Sequence, residues 1–228
     1  MRISTGVPGF DAIIEGGLPS NRLYVISGPP GSGKTTFCAH FITAGARAGE
    51  QCLYVTMHET KRELVEDMAS YSFGFERAMR SGAVRFINLV TDEGLETIHQ
   101  YGTKRGLTGR LTGLIEETGV NRVVVDSTLL LDHFLDDPDA ETTTFLTALK
   151  QVDATVLLIS EMTDPTSYTD EHYLAHGVVF FHNFLEDGGM RRGIQVIKLR
   201  GTSIDADIRE IGFSDAGLHV QPDRKLTA

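Results

Sequence analysis

Short runs of consecutive apolar residues alternate along this chain with longer stretches in which apolar residues recur every three or four positions. The first pattern suits strands buried on both faces, and the second suits amphipathic helices. The spacing predicts strands over residues 22–28 (RLYVISG), 51–57 (QCLYVTM), 83–89, 122–126 (RVVVD) and 155–160 (TVLLIS). It predicts helices over 34–48, 61–71, 93–117 and 140–151, the third broken by its glycines. Alternation of this kind implies an α/β fold with a mainly parallel central sheet covered by helices. From Gly177 the pattern becomes strand, turn, strand: GVVFFHNFLE, DGGM, RRGIQVIKLRG, then short strands to Val220. The Asp187-Gly188-Gly189 turn suits a hairpin, so antiparallel strands are expected at the C-terminal end of the sheet. No repeat and no Pro/Ser-rich linker interrupts residues 1–228, which read as one domain.

Composition narrows the class. Hydrophobic residues make up 41% and charged residues 23% of the 228, ordinary values that exclude a disordered tail protein. No apolar run is long enough for a membrane helix, and the opening MRISTGVPGF lacks a secretory h-region, so a cytoplasmic protein is expected. Cys38 and Cys52 fall in a predicted helix and strand, as buried thiols rather than a disulfide. The net charge of -10 opposes nucleic acid unless the basic residues cluster.

One local pattern carries chemistry. Residues 28–36 read GPPGSGKTT, the phosphate-loop pattern G-x-x-x-x-G-K-T at Gly28, Gly33, Lys34 and Thr35. A strand precedes it and an apolar-periodic helix follows, as phosphate binding requires. Across Gly28, Pro29, Pro30, Gly31, Ser32 and Gly33 the backbone can turn its N–H groups around phosphate oxygens, while Thr36 continues the first helical turn. Lys34 would reach the β- and γ-phosphates of ATP, and Thr35 would ligate Mg²⁺. The second metal ligand should end a distant apolar strand, and VNRVVVDS supplies Asp126.

With these motifs placed, the chain resembles the KaiC family of the RecA-like P-loop ATPases over nearly its whole length. ISTGVPGFDAIIEGGLPSNRLYVISGPPGSGKTT is similar to the family's opening, and GEQCLYVTMHET to its segment ending in paired glutamates. VVVDS resembles its Walker B strand, TVLLISE the following strand, and VIKLRGTS its Lys-x-Arg-Gly-Thr strand. The resemblance implies a homo-oligomer, a hexameric ring with ATP between subunits. It implies Glu59 as general base, although His58 stands where the family has the first of two glutamates. It also implies that Lys198 and Arg200, on one strand face, reach ATP bound by the neighbouring subunit. Ser160 and Glu161 could sense the γ-phosphate or couple the site to the loop beyond. Autokinase activity has no support here beyond the presence of Thr202 and Ser203.

Two further functions compete: an ATP-dependent scaffold with slow hydrolysis, suggested by His58, and a recombinase paralogue that binds DNA. Residues 129–143 and 162–176, the loop positions with which recombinases hold DNA, contain no Lys or Arg. Asp132, Asp136, Asp137, Asp139 and Glu141 crowd the first of them, which is poor chemistry for phosphates. Arg191 and Arg192, the best basic pair, are expected at the surface or an interface. His172 and His176 have i, i+4 spacing but no evident third zinc ligand. No client protein is legible.

Overall fold

The four most apolar segments form the middle of the sheet because both of their faces need cover. These strands are β3 (Leu23–Gly28), β4 (Cys52–Thr56), β6 (Arg122–Asp126) and β7 (Thr155–Glu161), buried along nearly their whole length. A computed structural model describes residues 1–101, 106–135, 137–186 and 188–226. Its main sheet has nine strands in the order β11-β10-β9-β8-β3-β7-β6-β4-β5. The others are β5 (Val84–Asn88), β8 (Gly177–Glu186), β9 (Gly189–Leu199), β10 (Arg209–Ser214) and β11 (Gly217–Lys225). Pairing is parallel from β8 through β3, β7, β6 and β4 to β5, and antiparallel from β8 outward to β11. A small ribbon of β1 (Arg2–Ile3) and β2 (Leu18–Pro19) lies apart. The predicted mainly parallel sheet with antiparallel C-terminal strands is therefore what forms.

Alternate residues of the central strands feed two cores. Tyr24, Ile26, Tyr54 and Val124 pack with Phe37 and Phe41 of α1 (Lys34–Arg47) on one face. Val25, Val55, Val123 and Leu158 pack on the other face with Leu111 and Leu114 of α5 (Gly106–Thr118) and Phe145 of α7 (Pro138–Leu149). A buried cation also ties α1 to the sheet. Arg122 donates to Ser4 O (2.7 Å) and Phe41 O (2.9 Å), pairs with Glu50 and lies over the Phe41 ring. Such a charge is tolerated inside because its donors are satisfied. Both cysteines are free and buried, as expected, and burial pushes the Cys52 thiol up to about 12.

Several helix boundaries depart from the periodicity. The helix expected over 61–71 is α2 (Lys61–Met68), followed by a separate α3 (Phe75–Arg80) entered through Gly74 at φ 83°. The helix expected over 93–117 is split into α4 (Asp92–His99) and α5, with residues 102–105 of that region outside those described. Two stretches expected as loops contain helices: α6 (Leu129–Phe134), which buries Leu130 and Leu131, and α8 (Asp170–Leu174). Each is under two turns, too short for periodicity to reveal. The predicted hairpin turn includes Asp187, outside the described residues; its neighbour Gly188 has φ 76°.

His40 of α1 is buried, stacked on Phe73 at 3.8 Å, and its Nε2 has no hydrogen-bond partner among the described residues. Burial first, with help from Arg47, lowers its pKa from 6.5 to about 4. The unfolded chain therefore binds a proton in that window that the folded chain excludes. Stability should fall as pH drops from about 6.5 toward about 4, by up to about 3 kcal/mol from this group. Denaturant unfolding at stepped pH should show this slope reduced in His40→Gln.

Candidate nucleotide site

The phosphate loop leaves β3 at its C-terminal end, the edge where a parallel sheet presents ligands. Gly28 must be glycine there: its φ is 146°, and a Cβ would lie 2.6 Å from Phe181 O. Gly33 (φ 110°) precedes α1, and no side chain among the described residues caps that helix. The first-turn N–H groups at Lys34, Thr35 and Thr36 are thus available to an anion. Within the loop, the Ser32 hydroxyl is fully buried and has no hydrogen-bond partner among the described residues. An orphaned buried hydroxyl in a cationic loop fits a phosphate oxygen. The Lys34 ammonium is buried, and its three donors are engaged by Gly28 O (2.8 Å), Pro29 O (2.9 Å) and the Glu161 carboxylate (3.0 Å). A cavity of about 540 Å³ opens over the loop, lined by Pro30, Gly31, Gly33 and residues 34–36 together with Glu161.

Its remaining lining comes from distant parts of the chain. Tyr71 enters just past α2, while Arg192 of β9 and Phe213 of β10 close the opposite side. Arg192 lies over the Phe213 ring at 5.5 Å and donates to Gly31 O at 3.3 Å. Arg191, its neighbour in sequence, instead pairs with Glu186 and Glu210. Both arginines are partly exposed, and Arg192 in addition lines the cavity. Alternation along β9 sends adjacent side chains to opposite faces. Tyr71 and Phe213 carried no sequence signal, because only packing of the C-terminal strands against the segment after α2 brings them to the loop. One contact of that packing is Ser72 N to Asp215 O at 2.6 Å.

Asp126 ends β6, and the Tyr54 hydroxyl of β4 donates to its Oδ2 at 2.8 Å. Burial raises the Asp126 pKa, while Tyr54, His58 and Lys34 oppose the rise. Thr35 and Asp126 could hold Mg²⁺, whose charge would reverse that penalty. Glu59 follows β4, two residues before α2, where Asn88 Nδ2 donates to its carbonyl at 2.9 Å. Its carboxyl is half-buried, and its pKa is raised first by burial, then by Asp126, Asp67 and Glu63. His58 is exposed, with Nε2 3.5 Å from Ser127 Oγ.

Lys198 and Arg200 lie elsewhere. Lys198 Nζ donates to the carbonyls of His172 (3.1 Å) and Tyr173 (2.9 Å) in α8. Arg200 sits one residue beyond the end of β9, so the pair does not share one strand, and its N–H donates to His176 O at 2.9 Å. His176 N in turn donates to Leu23 O, at the start of β3. Arg200 is therefore at the opposite end of β3 from the phosphate loop of its own chain, whereas Lys198 is in register with Val178 and, through it, with Val25 midway along β3. His172 and His176 are engaged separately, with Ser27 and with Leu23 N.

A strand–loop–helix phosphate cradle at a parallel sheet edge, with a strand-end carboxylate beside it, defines a P-loop nucleotide-binding protein. The family model described as "ATPase: KaiC" matches residues 3–225. The chain belongs to the KaiC family of ATPases, as its motifs led one to expect. It is 28% identical over 209 residues to the circadian clock protein KaiC3 of Synechocystis, covering 88% of this chain and 41% of that protein. It thus spans about two fifths of the length of that clock relative. A UPF0273 protein of Thermotoga maritima is 27% identical, with 97% of this chain and 96% of that protein covered. Among solved structures, a KaiC-like protein from the hyperthermophilic archaeon Pyrococcus horikoshii superposes with a TM-score of 0.79 at 27% identity. That match covers 97% of this chain and 99% of the other. Among the described residues no helix is long and apolar enough to cross a membrane.

Proposed function

We propose that this chain binds MgATP and hydrolyses it at an interface with a second copy of itself, as one domain spanning residues 1–228 in a cytoplasmic ring, a hexamer by resemblance to the family. The observation that carries this reading is the separation of the two halves of the chemistry. Arg200 is anchored through His176 at the Leu23 end of β3, the phosphate loop begins at Gly28, and Lys198 Nζ is held by the α8 carbonyls of His172 and Tyr173. At roughly 3.3 Å per residue that strand is about 16 Å long, beyond the reach of the Arg200 side chain toward its own loop. A neighbouring copy removes the difficulty, because its loop can lie against these cations.

Each residue then has a task. The backbone of residues 28–33 and the α1 N-terminus hold the phosphates, with Ser32 Oγ as an added donor. Lys34 exchanges Glu161 for phosphate oxygens. Arg192, Phe213 and Tyr71 offer the base and ribose a cation–aromatic wall. Thr35 and Asp126 would hold Mg²⁺, which supplies charge neutralisation to the phosphates. Glu59 orients the attacking water and accepts its proton. Lys198 and Arg200 of the adjoining copy stabilise the charge that develops on the transferring phosphoryl group.

A scaffold gated by ATP is favoured instead by the exposed His58 at the position of a family glutamate. The DNA-binding reading loses further ground, because residues 129–134 and 138–143 are helical and carry no cation. ATP turnover measured against protein concentration, with mass by light scattering at each point, tests the proposal. Turnover per chain should rise as the assembled species forms. A rate that is independent of assembly would refute an interfacial site, and an assembly that forms without turnover would favour the scaffold.

A further inference from the structure

A polar strut runs from the phosphate site to the two cations, through a segment that periodicity gave as loop. Ser27 and Ser160 are register partners on β3 and β7, so their side chains leave the sheet on one face. Each is one residue before a component of the phosphate site: Ser27 before Gly28, and Ser160 before Glu161. Both hydroxyls are buried and both end on α8. Ser27 Oγ lies 2.6 Å from His172 Nε2, and Ser160 Oγ donates to Glu171 Oε1 at 2.8 Å. Glu171 and His172 are themselves buried, and His172 Nδ1 is fixed by Thr169 Oγ1 at 2.8 Å. The same short segment holds the cations: the carbonyls of His172 and Tyr173 accept from Lys198 Nζ, and His176 O accepts from the Arg200 N–H.

A polar chain of this kind inside a core is costly unless every member is satisfied, and most such positions are filled by apolar residues. Here it joins two places where charge must rearrange. The Glu161 carboxylate occupies the Lys34 ammonium and lines the phosphate cavity. An incoming phosphate competes for that ammonium and repels that carboxylate. The Glu161 side chain is 38% exposed, and β7 carries Ser160 immediately behind it.

We propose that residues 169–176 couple occupancy of a chain's own phosphate loop to the placement of its Lys198 and Arg200 in the next copy's site. Phosphate frees Glu161 from Lys34, the end of β7 shifts, and Ser160 and Ser27 reset α8, whose carbonyls set Lys198. Nucleotide bound in one copy thereby regulates hydrolysis in its neighbour. The inference rests on the interfacial ATPase reading and adds to it a direction of communication.

The chain has no tryptophan, so an indole on the outer face of α8 is a clean reporter. Tyr173 is 64% exposed and suits the substitution Tyr173→Trp. A non-hydrolysable ATP analogue with Mg²⁺ would be added at a protein concentration where mass does not change, and binding followed separately with radiolabelled analogue. An emission shift that tracks occupancy is expected. It should vanish in the added presence of Ser27→Ala and Ser160→Ala, with binding retained. In ATP hydrolysis, the same pair of substitutions in the otherwise native chain should turn a sigmoidal dependence on ATP into a hyperbolic one. Single Ser160→Ala, a smaller perturbation, should give an intermediate result if the double variant folds poorly. An emission shift that survives both substitutions, or none despite full binding, overturns the strut. Because the analogue is not hydrolysed, absent turnover would sink the ATPase reading without deciding this outcome, and absent binding would sink both.

Discussion

Arg200→Ala should lower ATP turnover by roughly 10³-fold or more, the scale of a charge supplied in trans to a transferring phosphoryl group. Nucleotide affinity should change little, because in its own chain Arg200 lies at the far end of β3 from the loop. Glu59→Gln should be largely inactive for the opposite reason, keeping the phosphate contacts and Arg200 but lacking the base. The decisive comparison mixes the two. In a random assembly roughly a quarter of the interfaces join an intact Glu59 to an intact Arg200, the latter from a chain whose own loop still binds nucleotide, so activity should reappear in about that proportion. Steady-state hydrolysis of the two variants alone and mixed, after exchange of subunits, measures it. A mixture as inactive as its components would rule out the interfacial site. Its backbone anchors make this test clean: Arg22 Nη1 donates to Arg200 O at 2.7 Å and His176 O accepts from Arg200 N, so truncating the side chain leaves the loop held.

Glu59→Gln should cost about 10²- to 10⁴-fold in turnover with little effect on nucleotide binding, the usual worth of a positioned base. Burial and neighbouring carboxylates raise the Glu59 pKa, so its basic form is lost as pH falls through a value above that of an ordinary glutamate. Wild-type turnover should therefore decline on the acid side earlier than for an exposed carboxylate. The residual rate of Glu59→Gln should be insensitive over the same range. Bound Mg²⁺ near Asp126 shifts this limb toward lower pH, so the profile should move with metal concentration. His58→Gln provides the contrast. The side chain is exposed and 3.5 Å from Ser127, and its replacement should change turnover by less than about tenfold if Glu59 is the base. A loss equal to that of Glu59→Gln would transfer the role to His58.

Much of the fold and of the candidate site is legible in the sequence, and the reason lies in how local each signal is. Residues 28–36 act within one turn of backbone, so nine consecutive letters carry both the geometry and the chemistry of the phosphate cradle. The apolar strands 122–126 and 155–160 announce burial on both faces by composition alone, and with it a parallel sheet. Family membership followed from short segments in order, and residues 3–225 match the family as a whole. Helices under two turns, such as α6 and α8, left no period to detect.

Contiguous residues were enough for the class of fold, the phosphate-loop motif and the candidate carboxylate Asp126 at a strand end, while Glu59 became a candidate only through the family resemblance. Tertiary structure alone decided which distant side chains meet. It brought Tyr71, Arg192 and Phe213 to one cavity and placed the Tyr54 hydroxyl on Asp126. It latched Lys34 to Glu161 across 127 positions of sequence. It also carried Arg200 away from its own loop, through pairing of Gly177 with both Tyr24 and Leu199. Spacing along a chain cannot encode such distances, since they are set by the order in which strands enter the sheet.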